Sequence, residues 1–246
     1  MNNKETLLLE NNKVYLYGQV VSQPVFSHEL YDEQFYEFLL EVSRLSDMKD
    51  ILPVTVSERL LKDINLQTGA TIALTGQFRS YNKIIENRSK LMLTVFVRDF
   101  VEAVESNPNV VELKGYICKP PVYRTTPFSR EICDMLLAVN RSYNKSDYIP
   151  CIAWGRNARF VRDIQVGQKL TILGRIQSRE YVKRLSDNQS VSKVAYEVSI
   201  NKISLVSMDN QTSVVQQVNR LFADAAFASD IMLPQSVVLD EKKDNA

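Results

Sequence analysis

The chain has 246 residues, 45% of them hydrophobic and 24% charged, the balance of a globular protein with one large domain or two ordinary ones. No apolar run approaches the roughly 20 residues of a membrane helix, and the N-terminal stretch lacks the apolar core of a secretory leader. The reading therefore excludes a membrane protein and expects a cytoplasmic one. Three widely spaced cysteines, Cys118, Cys133 and Cys151, and a single histidine, His28, argue against a disulfide framework or a zinc site. Neither a metal nor a cofactor is expected. No P-loop, nucleophile elbow or histidine-based metal motif is present, so no catalytic residue is assigned.

The formal charge of +1 conceals an asymmetry. Residues 1–108 hold 11 Lys+Arg against 15 Asp+Glu, residues 109–206 hold 16 against 8, and residues 207–246 hold 3 against 6. A basic middle between acidic flanks points to a polyanionic partner for the middle.

The spacing of six of the seven glycines, all but Gly155, shows a duplication. Gly18 matches Gly115, Gly69 matches Gly167 and Gly76 matches Gly174, and the prolines agree, Pro24 with Pro121 and Pro53 with Pro150. Leu40, Val42 and Arg44 recur as Leu137, Val139 and Arg141.

In chain order, each copy begins with an apolar-rich run centred on one glycine, residues 14–21 and 110–118, where the glycine suggests a bulge or a sharp coil at which a small barrel bends. Strands are predicted at 38–42 and 135–139, then at 53–56 and 150–154. A short helix follows, with Leu60, Leu61 and Ile64 on one side in the first copy and Phe160, Val161 and Ile164 in the second. Strands at 71–78 and 169–176, then 91–97 and 194–200, complete each copy. His28 falls in a polar loop. The boundary lies in Glu105-Ser-Asn-Pro-Asn109. Residues 1–105 form one unit, 109–207 a second, and 208–246 an amphipathic helix over about 212–228 with a tail. Three strands, a short helix and two strands are the plan of an OB-fold, so the chain reads as all-β: two tandem five-stranded Greek-key barrels and a C-terminal helix.

The second copy interleaves rings and cations. Its Leu-Leu-Ala-Val-Asn-Arg-Ser-Tyr, Asp-Tyr-Ile-Pro-Cys-Ile-Ala-Trp-Gly and Gly-Arg-Ile-Gln-Ser-Arg-Glu-Tyr segments closely resemble the bacterial single-stranded DNA-binding protein family over residues 109–206. The resemblance implies an oligomeric OB-fold protein that wraps single strands in replication, recombination or repair, associated with the nucleoid, and does no chemistry. By motif its stacking rings are Tyr143, Tyr148, Trp154 and Tyr181. Arg141, Arg156, Arg175, Arg179 and Lys183 are the expected phosphate contacts. The first copy has Ser46, Ile51 and Ser57 where the second has rings, and offers Arg79, Tyr81 and Lys83 as weaker candidates. Either it chiefly supplies an assembly surface, or it binds through other rings such as Phe26, Tyr31, Phe35 and Tyr36. The family's acidic C-terminal tip is missing, since the chain closes Asp-Glu-Lys-Lys-Asp-Asn-Ala. Four barrels in a homodimer are expected by analogy, RNA is a possible ligand, and an interaction scaffold of a primosome-like complex is the rival reading.

Overall fold

The computed structural model describes residues 11–206, apart from 45, 63, 65, 86, 104–107, 187 and 188 and the side chains of 143, 183–186 and 189. The predicted C-terminal helix and tail lie outside the described residues. The first strand of each half alternates buried and exposed: Val14, Leu16 and Val20 of β1 (Asn12–Val20) face inward, as do Val111, Leu113 and Ile117 of β7 (Asn109–Ile117). That period of two is what a pleated strand with one wet face requires. The first half continues with β2 (Val25–Leu30), β3 (Glu33–Ser43), β4 (Lys49–Ser57), helix α1 (Glu58–Leu61), β5 (Thr71–Ile85) and β6 (Arg88–Phe100). The second repeats the order with β8 (Val122–Thr125), β9 (Glu131–Asn140), β10 (Ser146–Trp154), helix α2 (Arg156–Arg162), β11 (Lys169–Ser186) and β12 (Gln189–Leu205).

Pairing closes each half on itself. Strand β1 pairs with both β5 and β3, β5 with β6, β6 in parallel with β4, and β4 with β3. The second half closes identically through β7, β11, β12, β10 and β9. These are the two five-stranded barrels expected. Strands β2 and β8 are additions, each a hairpin arm on the third strand of its half. The sequence reading missed both, because β2 is almost wholly exposed and β8 has four residues. His28 accordingly sits in a strand rather than a loop, its ring stacked on Phe35 at 5.0 Å.

Of the two expected roles, the glycines of the first strands serve the bend by which each barrel closes rather than a bulge. A Cβ on Gly18 would lie 2.2 Å from Glu41 O, and one on Gly115 2.5 Å from Ala138 O. The register shifts lie instead beside Gly76 and Gly174. Where β1 runs out, the Asn12 amide stands in for the missing strand: Nδ2 donates to Phe78 O at 2.7 Å and Oδ1 accepts from Phe78 N at 2.8 Å. Asn109 repeats this with Ile176, at 2.7 and 2.9 Å.

The barrels join edge to edge. Strands β1 and β7 pair antiparallel about Val14↔Val111, so Asn12 faces Leu113 and Leu16 faces Asn109. This register makes the two halves pseudo-symmetric, and the seam repeats one clamp in both directions. Asp50, fully buried, accepts from Ser178 N at 2.7 Å and from Arg44 Nε and Nη2 at 2.8 and 2.6 Å, with Arg175 Nη1 at 3.3 Å. Asp147, 1% exposed, accepts from Ser80 N at 2.6 Å, while Arg141 donates to Ser80 O at 3.0 Å. Arg141 Nε faces Asp147 Oδ2 at 3.0 Å without the alignment of a hydrogen bond. The amides of Ile51 and Tyr148 donate to Ser178 Oγ and Ser80 Oγ. Bonding to Asp50 holds Arg44 above its ordinary pKa, whereas burial and the neighbouring Arg44 push Arg175 below it.

Two predictions follow from these contacts. Asn12→Ala leaves two buried backbone groups of Phe78 unpaired and is expected to lower stability by about 2–3 kcal/mol, read from the midpoint of urea unfolding. Asp50→Ala leaves two half-buried guanidiniums at the seam without their carboxylate, and a loss of about 2–3 kcal/mol is expected in the same assay.

Candidate nucleic-acid interface

Register places three of the four predicted rings on one surface. Core residues Cys151, Val198 and Ile176 pair across β10, β12 and β11, so their neighbours face outward. The outward set holds Tyr148 and Trp154 of β10, Ser199 and Glu197 of β12, and Arg175, Gln177, Arg179 and Tyr181 of β11. Trp154 confirms the geometry by donating from Nε1 to Ser199 Oγ at 3.2 Å, with 38% of the residue exposed. That bond fixes the indole while leaving ring surface accessible. Tyr181 is half-exposed beside its cross-strand neighbour Lys193, and Tyr148 is half-buried. The side chains of Tyr143 and Lys183 lie outside the described residues.

The cations on this surface are largely neutralised. Arg141 and Arg175 belong to the seam, on Asp147 and Asp50. Arg179 Nε lies 3.4 Å from Glu197 Oε1, which also accepts from Gln177 Nε2 at 2.7 Å, and Gln177 in turn accepts from Arg175 Nη2 at 2.9 Å. Glu197 is itself buried. Arg156 opens α2 just beyond β10, exposed and with no ion pair among the described residues. Among the described residues, three of the expected cations therefore already face a carboxylate.

The corresponding face of the first barrel is better supplied with rings than its sequence suggests. Ser57 stands where the second copy has Trp154, and its hydroxyl caps α1 by accepting from Arg59 N at 3.1 Å. Phe96, however, occupies the outward position matching Ser199, and Phe35, itself buried, the one matching Ile132. The two rings lie 5.6 Å apart. Phe35 was among the alternatives weighed from the sequence; Phe96 and Arg98 were missed. Arg79 shares this face with Phe96, half-buried, and Tyr81 is 38% exposed. Burial and Glu37, whose carboxylate accepts from the phenol at 3.3 Å, raise Tyr81 to about 12, so its ring is uncharged. Lys83 is exposed farther along β5. Between the barrels lies a cleft of about 550 Å³ bordered by Lys13, Tyr15, Gln77, Arg98 and Glu112.

Among the described residues no group of three or more His, Cys, Asp or Glu could hold a metal ion, and no helix is long and apolar enough to cross a membrane. Burial raises the Cys118 thiol to about 12 and the Cys133 thiol to about 11, so both are poor nucleophiles near neutral pH.

Residues 108–206 match the model of the Single-strand binding protein family. Single-stranded DNA-binding protein 1 of Staphylococcus aureus (strain COL) is 36% identical over 80 residues, 30% of this chain and 48% of that protein. Single-stranded DNA-binding protein B of Bacillus subtilis (strain 168) is 32% identical over 93 residues, 35% of this chain and 82% of that protein. The chain thus spans about half the length of some curated relatives and most of others. In fold, the wild-type single-stranded DNA binding protein from Thermus aquaticus superimposes with a TM-score of 0.62 at 19% identity, over 82% of this chain and 95% of that one. That likeness extends over more of the chain than the second barrel alone. With three ordered motifs, a closed OB barrel and relatives matched over most of their length, this chain belongs to the single-strand binding protein family.

Proposed function

We propose that the chain binds single-stranded DNA without sequence preference and protects it during replication, recombination or repair. The observation that carries this reading is the shared outward face of Tyr148, Trp154 and Tyr181. Flat rings accept any base, because every base has a π-face. Phosphate contacts from the expected set, the exposed Arg156 foremost, add a salt-dependent term. Because several of those arginines already face carboxylates, stacking carries a larger share of affinity than the formal charge implies. The reading asks for no covalent step. Two barrels per chain suit a homodimer of four barrels, which light scattering of the free and DNA-bound protein measures directly.

The neutralised arginines favour a second reading, an interaction scaffold with little nucleic-acid affinity. The exposed apolar residues of the β2–β3 hairpin, Phe26 at 54% and Tyr31 at 93%, give such a scaffold a contact surface. A gel shift separates the two, since a scaffold shows no preference for single-stranded over double-stranded DNA. A matched RNA strand in the same assay tests the 2′-hydroxyl.

Trp154→Ala and Tyr181→Ala are each expected to weaken binding to a pyrimidine oligonucleotide about ten-fold, equivalent to about 1.4 kcal/mol. Unchanged affinity of both variants in a fluorescence-anisotropy titration removes these rings from the site.

A further inference from the structure

Two arginines of the first barrel converge on an uncharged acceptor. Gln77 Oε1 accepts from Arg79 Nε at 3.2 Å, from Arg79 Nη2 at 2.8 Å and from Arg98 Nη2 at 3.1 Å. Both guanidiniums lie over Phe96, Arg79 at 3.9 Å and Arg98 at 5.5 Å from the ring centroid. At the seam such a convergence is centred on a carboxylate, Asp50 between Arg44 and Arg175. Here an amide occupies that place. Among the described residues, neither Arg79 nor Arg98 has a carboxylate within ion-pair distance.

The local balance of charge is positive. Arg141 is a third guanidinium near Arg79, and the carboxylate acting on it, Asp147, is already engaged by Ser80 and Arg141. Burial first, and then the like charges of Arg98 and Arg141, bring Arg79 down to about 10. Glu37 shares the outward face but is turned to Ser27 and Tyr81, at 2.8 and 3.3 Å. Arg98 is exposed and borders the cleft between the barrels, so an extended chain can reach it.

We infer that Arg79 and Arg98, gathered by Gln77 over the Phe96 ring, bind a backbone phosphate of a single strand that runs from the second barrel onto the first. The inference rests on the single-strand reading above. A phosphodiester suits the site, because its two free oxygens accept from planar guanidinium forks that a neutral amide leaves uncompensated. The exposed His28 ring, stacked on Phe35, extends the row of rings past the phosphate and suits a neighbouring base.

The test titrates the full chain with a labelled poly-dT strand long enough to span both barrels, at several salt concentrations. Wild type is compared with Arg98→Gln, Gln77→Glu and Trp154→Ala. Gln77→Glu keeps the acceptor geometry and neutralises the pair from within, and unfolding curves verify that each variant folds. Arg98→Gln and Gln77→Glu are each expected to weaken binding about five-fold at low salt and to make the slope of log affinity against log salt shallower by about 0.7. If Trp154→Ala loses affinity while these two match wild type in affinity and slope, the phosphate site is overturned and the single-strand reading stands. If wild type itself does not bind, both fall together.

Discussion

Two buried carboxylates decide how this molecule is put together. Asp50 and Asp147 each accept a backbone N–H from the long fifth strand of the opposite barrel and each face an arginine of their own. A carboxylate withdrawn from water is tolerated only while such donors stay in place. The β1–β7 ladder could slip by two residues and still keep its apolar face inward; the clamps cannot. They therefore set the angle and register at which the two outward faces meet.

That constraint separates net charge from local charge. Residues 109–206 carry twice as many cations as carboxylates, yet Arg141, Arg175 and Arg179 face Asp147, Asp50 and Glu197. A guanidinium paired at about 3 Å projects little field toward a ligand, whereas an unpaired one does. The first half is acidic overall, but its outward face gathers Arg79 and Arg98 around an amide. The duplicated barrels have thus diverged in complementary ways. One keeps the rings of Trp154 and Tyr181 on its outward face, and the other holds cations over Phe96.

Much of the barrel plan could be read from the chain. The recurrence of Gly18, Gly69 and Gly76 as Gly115, Gly167 and Gly174 marked the duplication, and alternation located the ten strands that close the barrels. The arms β2 and β8 escaped because an exposed hairpin strand carries no alternation of burial. The shared face of Trp154 and Tyr181 followed from motif order. The ring at Phe96 escaped because its neighbour Phe35 comes from a strand some sixty positions away and meets it only after closure.

The residues by themselves determined the repeat and the strand order, since period-two patterning and turn glycines act over a few neighbours. Only the tertiary structure decided which cations stay available to a ligand. Asp50 and Arg175 stand 125 positions apart, and Asp50 and Ser178 stand 128 apart. No local pattern anticipates such partners, because an arginine's charge is felt or cancelled by whatever the fold brings within a few ångströms of it.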